Sequence, residues 1–340
     1  MADTALMMRA RGPEATFDAE QVRVGPAARG QVRVAVAASG VCYADLATSR
    51  SGSRDRPVTP GHEVAGVIAE VGPDAGEWQV GDRVAVGWFG GSCGQCSYCR
   101  RGDVVHCPDR KVPGLSYPGG WAESVTVPAE ALARIPEGLG FIDAAPMGCA
   151  GVTTYNALRH ASLAPGSRVA VFGVGGLGHL AVQFAAKMGH EVVAIARGAG
   201  RETLARQLGA GHYIDSEAEP AGAALHRLGG ADLILSTSST TTAVPELLTG
   251  LRVRGTLTVV GVDSGHLDIS VARLVMNSQV IKGHLTGSAH DTEEAMRFAL
   301  HHDVKPIVET MPLARASEAV ARLRGGQARF RIVLEGSWRG

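Results

Sequence analysis

Between Met1 and about Ala150 the apolar positions fall in short alternating runs broken by turns. Gln31-Val32-Arg33-Val34-Ala35-Val36 alternates polar and apolar, which predicts a half-buried strand. Val64 to Val71 and Arg83 to Val86 read as further strands, set off by the turns Gly72-Pro73 and Gly81-Asp82. Trp121 to Val127 reads as another. This half predicts an irregular, mostly β, barrel-like domain. The period changes near Gly151. Val152 to Ala161 looks helical, Arg168 to Phe172 is a strand, and Leu177, Leu180, Ala181, Phe184 and Met188 recur at helical spacing. Glu191 to Ala196 predicts a second strand, Arg201 to Leu208 a second helix, and Ala231 to Leu235 and Gly255 to Val262 two more strands. Such alternation implies a parallel sheet with helices on both faces. Past Gly283 the pattern changes again: Asp291 to His301 and Ala316 to Arg324 predict helices, and Phe330 to Leu334 a closing strand that returns to the first domain.

A chain of 340 residues is long for one core and comfortable for two domains. Its 33 basic and 33 acidic side chains balance, so there is no electrostatic footprint for nucleic acid or an anionic membrane. The longest apolar run, Val169 to Ala186, is broken by Gly173, Gly175, Gly176, Gly178 and His179 and does not read as a membrane helix. The start, Met1-Ala2-Asp3-Thr4, lacks the basic and apolar regions of a signal peptide. Four of the six cysteines are better explained as metal ligands than as bridges, which suits a reducing compartment. The expectation is a cytoplasmic protein.

Those four are Cys93, Cys96, Cys99 and Cys107, separated by two, two and seven residues. Four thiols at this spacing can converge on one tetrahedral ion. A shell of four sulfurs leaves no open position, so such a zinc is structural. Disulfides or an iron–sulfur cluster are the other uses of such thiols. Gly173-Val174-Gly175-Gly176-Leu177-Gly178 follows a predicted strand and opens a predicted helix. In that context Gly173, Gly175, Gly176, Leu177 and Gly178 are candidates to cradle a dinucleotide pyrophosphate at a helix N-terminus. An NAD site usually carries an acid at the end of the second strand. Here that strand ends Ile195-Ala196-Arg197-Gly198, with Arg201 close behind and no carboxylate. Arg197 and Arg201 therefore favour NADP(H), with NAD(H) as the other coenzyme; a solvated arginine is the plain alternative. Gly61-His62-Glu63, Cys42 and Cys149 say little one by one: each reads equally as a buried or exposed structural residue.

Taken together these landmarks identify a family. Gly40-Val41-Cys42 with Asp45, Gly61-His62-Glu63 with Gly66 and Gly72, the cysteine lobe, Gly148-Cys149-Ala150-Gly151-Val152-Thr153-Thr154-Tyr155 and the glycine-rich turn run over essentially the whole chain. The sequence resembles the zinc-dependent alcohol dehydrogenases of the medium-chain dehydrogenase/reductase superfamily. The resemblance implies a GroES-like catalytic domain with an inserted Rossmann domain: residues 1–152 with the zinc lobe at about 90–110, then 153–284, then 285–340 returning to the catalytic domain. It implies two zinc ions per chain, the second held by Cys42, His62 and Cys149 at the cleft between domains, with Glu63 behind it and Asp45 on the free nitrogen of His62. It implies hydride transfer between the nicotinamide and an alcohol, aldehyde or ketone. It further implies a homodimer or homotetramer, with Val275 to Lys282 expected at the edge. One departure stands out. The hydroxyl usual two positions after the first zinc cysteine is Ala44 here, and the relay histidine of some members is Ala47. Tyr43 is the nearest hydroxyl, with a packing or cofactor contact as its other role. The missing relay keeps a second reading open, a C=C or C=N reductase on the same scaffold. A non-catalytic cofactor-binding protein is a third. Tyr43, Trp88, Trp121 and Leu285 are candidates to shape the substrate pocket.

Overall fold

The structure, a computed structural model, describes residues 3–12, 16–239, 242–262 and 264–336. The chain divides into two compact units. One comprises residues 1–152, 286–301 and 305–340, the other 153–285 with 302–304.

The first unit opens with a hairpin-like pair, β1 (Thr4–Ala10) and β2 (Phe17–Arg23), antiparallel with Ala10 opposite Phe17. Then come β3 (Gln31–Val41), β4 (Val64–Val71), β5 (Arg83–Val86), β6 (Ser124–Pro128) and β7 (Leu132–Arg134). The alternation seen at Gln31–Val36 is real: Val32, Val34 and Val36 are buried, and the residues between them are half-exposed. The strand expected from Trp121 begins at Ser124 instead. Trp121 is wholly buried, packs edge-on against Phe17 and donates its indole N–H to the Gly40 carbonyl at 3.2 Å. It is a core residue and does not line a pocket. The core of this sheet gathers Val32, Val34, Val36, Ile68, Val84 and Val125.

The second unit is a six-stranded, all-parallel sheet. Its strands are β8 (Arg168–Phe172), β9 (Glu191–Ala196), β10 (His212–Asp215), β11 (Ala231–Ser236), β12 (Leu251–Val259) and β13 (Val280–Gly283), in the order β10-β9-β8-β11-β12-β13. The strand order reverses beside β8, where a doubly wound sheet offers its ligand crevice. The strands are nearly continuous in Val, Ile, Leu and Ala, as expected of strands covered on both faces. The expectation for Val275 to Lys282 needs correction. Val271–Asn277 is a helix, capped by the Ser270 hydroxyl on Arg273 N–H, and only Val280–Gly283 forms the edge strand. Its apolar residues Val271, Leu274 and Val275 share one helical face, but none of its residues is buried.

The chain then completes the first unit. After helix Ala289–His302 come β14 (Val308–Pro312), helix Ala316–Arg324 and β15 (Arg331–Glu335). β15 pairs antiparallel with β3, Ile332 opposite Val41, which closes the seven-stranded sheet β14-β15-β3-β4-β5-β7 with β6 on β3. The closing strand expected from Phe330 thus does return to the first unit. Among the described residues no helix is long and apolar enough to cross a membrane.

Candidate active site

The end of β3 sets the first side chain. Cys42 caps the helix Tyr43–Arg50, and Asp45, three residues on, reaches back: its Oδ2 accepts the Cys42 N–H at 2.9 Å. The other oxygen, Oδ1, accepts the Gly61 N–H at 3.0 Å and the Nδ1–H of His62 at 2.9 Å. One buried carboxylate therefore ties the helix start to the turn before β4. Because a carboxylate only accepts, Nδ1 carries a proton, and Nε2 is the nitrogen left to face the cluster. His62 and Glu63 are buried, and His62 Nε2 and Glu63 Oε2 have no hydrogen-bond partner. A buried polar atom without a partner is costly, so these two atoms mark a place made for something else. Cys149 arrives on a π-helical turn, Met147–Gly151, which lies against β5: the Gly148 carbonyl accepts the Trp88 N–H at 3.1 Å.

Ligand atoms of Cys42, His62, Glu63 and Cys149 all lie within 4.8 Å of one another. Two thiols, an imidazole nitrogen and a carboxylate form a donor set suited to zinc, and the two orphaned atoms are what a bound cation would satisfy. Opposite them sits a residue that the sequence did not single out. Arg331, the first residue of β15, is buried and ion-paired with Glu63 Oε1. Room for the Glu63 carboxylate comes from Gly40: a methyl group there would overlap Oε2 at 2.0 Å. The signal for Arg331 was a charge opening an otherwise apolar strand, Arg-Ile-Val-Leu.

The electrostatics follow from burial and pairing. A hydrogen bond from Cys149 holds the Cys42 thiol well below its ordinary value, against the effect of burial. The same bond, with burial, raises Cys149 well above. Burial opposes charge on His62, but the Asp45 charge and hydrogen bond outweigh it and raise the imidazole. Burial lifts Glu63 to about 7 in spite of the Arg331 charge. Tyr43, expected here, is engaged elsewhere. The residue is 61% exposed, and its hydroxyl donates to the Leu323 carbonyl at 3.0 Å. Ala44 and Ala47 lie on the exposed side of the same helix.

The four lobe cysteines also converge, with sulfur atoms within 4.8 Å of one another. Backbone N–H groups point at the sulfurs: Cys93 on Cys107 and Cys96 on Cys93, each at 3.4 Å, and Cys99 on Cys96 at 3.5 Å. Backbone N–H groups of Gln95 and Cys96 bring Cys93 down to about 7. For Cys107 the Cys93 N–H is outweighed by burial and by the Cys93 thiol, which push it up to about 11. Sulfurs so close, with amides aimed at them, fit a shared cation. Replacing Cys96 with serine is expected to cost one metal equivalent and to lower the thermal midpoint, because binding to such a set is folding free energy. Metal analysis and a melting curve on the purified variant check this.

In the second unit the glycine-rich turn does run from β8 into the helix Gly178–Lys187. A methyl group on Gly178 would lie 1.7 Å from the Gly173 carbonyl oxygen, so that position requires glycine. The Gly173 N–H donates to the Ile195 carbonyl at 2.9 Å, which sets the turn beside the end of β9. Arg197 is exposed there. The sequence showed no acid at this strand end, but the fold brings one from the next strand. Asp215 Oδ1 accepts the Gly198 N–H at 2.7 Å and the Glu217 N–H at 2.9 Å, and the Tyr213 hydroxyl donates to the Gly198 carbonyl at 2.6 Å. That oxygen of Asp215 is already committed to backbone. Arg201 opens the helix Glu202–Gln207 as its N-cap.

A parallel sheet with a dinucleotide fingerprint, joined in one chain to a β-rich unit carrying two metal-ligand clusters, defines a zinc-dependent dehydrogenase. The comparisons agree. The family described as "Alcohol dehydrogenase GroES-like domain" matches residues 28–137, and "Zinc-binding dehydrogenase" matches 176–301. The chain is 40% identical to alcohol dehydrogenase patD of Penicillium expansum over 93% of both chains. It is 34% identical to NADP-dependent alcohol dehydrogenase C 1 of Mycolicibacterium smegmatis, over 87% of this chain and 88% of that one. A solved cinnamyl alcohol dehydrogenase from Sorghum bicolor superposes with a TM-score of 0.90, at 30% identity over 98% of both chains. The chain belongs to the zinc-binding alcohol dehydrogenases of the medium-chain dehydrogenase/reductase superfamily. It is an oxidoreductase that interconverts alcohols and carbonyl compounds with a nicotinamide coenzyme.

Proposed function

We propose that Cys42, His62 and Cys149 hold the catalytic zinc, that Cys93, Cys96, Cys99 and Cys107 hold a second, structural one, and that NADP(H) is the preferred coenzyme. The observation that carries the first part is the buried, unpartnered His62 Nε2 within reach of both thiols and a carboxylate. When bound there, zinc supplies Lewis-acid polarisation of the substrate oxygen. The residues of this chain do the rest. Asp45 fixes the tautomer and ring orientation of His62. Arg331 holds Glu63 in its buried place and offsets its charge. Gly173, Gly175, Gly176, Leu177 and Gly178 receive the coenzyme pyrophosphate, with Arg197 and Arg201 near the adenosine ribose. Metal analysis combined with a steady-state screen of alcohols, aldehydes and conjugated enals, run with both coenzymes, tests this reading. Faster turnover of enals than of any alcohol would transfer the assignment to C=C reduction.

The coenzyme preference is supported by Arg197, by the backbone engagement of Asp215 and by the similarity to the NADP-dependent alcohol dehydrogenase C 1 of Mycolicibacterium smegmatis. A charged hydrogen bond is worth about 1.5–3 kcal/mol. Arg197→Asp is therefore expected to move the ratio of kcat/KM for NADP(H) over NAD(H) by roughly tenfold to a hundredfold towards NAD(H). An unmodified enzyme that already prefers NAD(H) would contradict the assignment.

The proton route is open on this helix face, where Ala44 offers no hydroxyl and the Tyr43 phenol serves Leu323. General acid–base help is worth roughly 10²–10⁴-fold. Ala44→Ser is expected to raise alcohol oxidation, most clearly below neutral pH, and to leave enal reduction unchanged. Initial rates against pH for both reactions measure it.

The partner that suits the second unit is another copy of the chain, in a homodimer or homotetramer. Val271, Val275 and Met276 are 71%, 69% and 81% exposed beside the edge strand β13, where Val280 is 46% exposed. An uncovered edge with an apolar flank is a pairing surface. A cytoplasmic location accords with cysteines placed as metal ligands.

A further inference from the structure

The base of the cysteine lobe is closed before the cysteines are reached. The Gly90 N–H donates to the Lys111 carbonyl and the Lys111 N–H to the Gly91 carbonyl, each at 2.8 Å. The partly buried Tyr117 donates its hydroxyl to the Gly90 carbonyl, also at 2.8 Å. One residue further on, Ser92 is held by a group from outside the lobe. Glu130 lies in the short turn Ala129–Ala131 that follows β6. Its Oε1 accepts the Ser92 N–H at 2.6 Å, and its Oε2 accepts the Ser92 hydroxyl at 3.1 Å. The carboxylate is seated closely against the chain: a methyl group on Gly91 would lie 3.2 Å from Oε1.

Ser92 precedes Cys93 directly, so its two bonds to Glu130 fix the backbone that leads into the first ligand. The amides aimed at Cys93, Cys96 and Cys107 all belong to the lobe itself. Glu130 differs in kind, because it belongs to the segment after β6, and β6 is paired with the long strand β3. It ties the metal site to the sheet.

We propose that Glu130, acting through Ser92, is a positioning residue for the four-cysteine site and sets how firmly that site retains zinc. The inference rests on the reading that the lobe holds a zinc ion. Groups that orient metal ligands commonly change metal affinity by roughly 10–100-fold when lost.

The test uses the full-length, zinc-loaded protein. Zinc is counted, and its release is followed with a chromophoric chelator. Glu130→Ala is expected to release one equivalent about 10–100-fold faster than the parent, with the other equivalent leaving at the parent rate. Glu130→Gln, which keeps an acceptor for the Ser92 N–H, is expected to recover most of the loss. Ser92→Ala, which removes only the hydroxyl, is expected to show a smaller acceleration. Tyr117→Phe cuts the bond to Gly90 without touching Ser92 and is expected to stay near the parent rate. Equal acceleration in Tyr117→Phe and Glu130→Ala would mean general loosening of the lobe and would overturn the proposal, as would parent-like release from Glu130→Ala. A parent that holds one equivalent, unaffected by Cys96→Ser, would overturn the lobe-zinc reading itself.

Discussion

His62→Ala is expected to lower alcohol turnover by at least about a thousandfold and to leave a folded protein with one zinc equivalent. Polarisation of the substrate oxygen by a metal is worth several kcal/mol, and each 1.36 kcal/mol is a factor of ten in rate. The fold should survive because Asp45 keeps two other partners, the Cys42 and Gly61 N–H groups, so the helix start and the turn before β4 remain tied. Cys42→Ser should behave similarly. Asp45→Asn makes a graded companion: it retains an acceptor near His62 but loses the charge, and a loss of roughly 10–100-fold in metal affinity is expected. The measurements are zinc content, kcat and the melting midpoint. Full activity in a His62→Ala preparation with unchanged zinc content would refute the assignment of the catalytic centre.

The second large effect concerns stability. Arg331→Met leaves Glu63 buried without its counter-charge, and breaking a buried pair in this way costs about 3–5 kcal/mol. The cost should depend on pH. Burial already lifts Glu63 to about 7, and the Arg331 charge works against that rise. Without the arginine the carboxyl goes higher. An acid raised in the folded state binds protons more tightly there than in the unfolded chain, where it titrates near 4.3. Its stabilising contribution is therefore present at low pH and is lost as pH rises towards the folded value. The deficit of Arg331→Met relative to the parent should be smallest near pH 5–6 and largest above pH 8. Adding Glu63→Gln should recover part of it, since no charge then remains unpaired. Denaturant melts of the four proteins of this cycle at three pH values decide the matter. A deficit that does not change with pH would show that Glu63 is not the group left stranded.

Much of the architecture lay open in the sequence because it is written in local period. The alternation at Gln31–Val36 needs only neighbouring residues to place valines on one face. The strand–turn–helix at Arg168–Lys187 carries its glycines where the backbone must pass close, as the overlap of a Gly178 methyl group with the Gly173 carbonyl makes plain. The cysteine lobe was equally legible, since its four ligands lie within fifteen residues and their spacing is itself the geometry. The helix at Val271–Asn277 was not, because a seven-residue run rich in valine fits a strand as readily as a helix.

What belongs to long-range contact could not be read in this way. Cys42, His62 and Cys149 were connected beforehand only by family resemblance, because the residues between them hold no local clue that β3, the turn before β4 and the turn Met147–Gly151 converge. Arg331 lies 268 positions from Glu63, and only the antiparallel pairing of β15 with β3 brings it to the buried carboxylate. Asp215 comes to lie opposite Ala196, next to Arg197, only through the parallel pairing of β9 and β10. Tyr43, adjacent to Cys42 in sequence, was drawn away by the Leu323 carbonyl. In each case the sequence determined which chemical groups were present and the local element that carries each one. Strand pairing decided which of them share a low-dielectric space, and there partnership determines whether a charge, a lone pair or a hydroxyl is held, spent or left open.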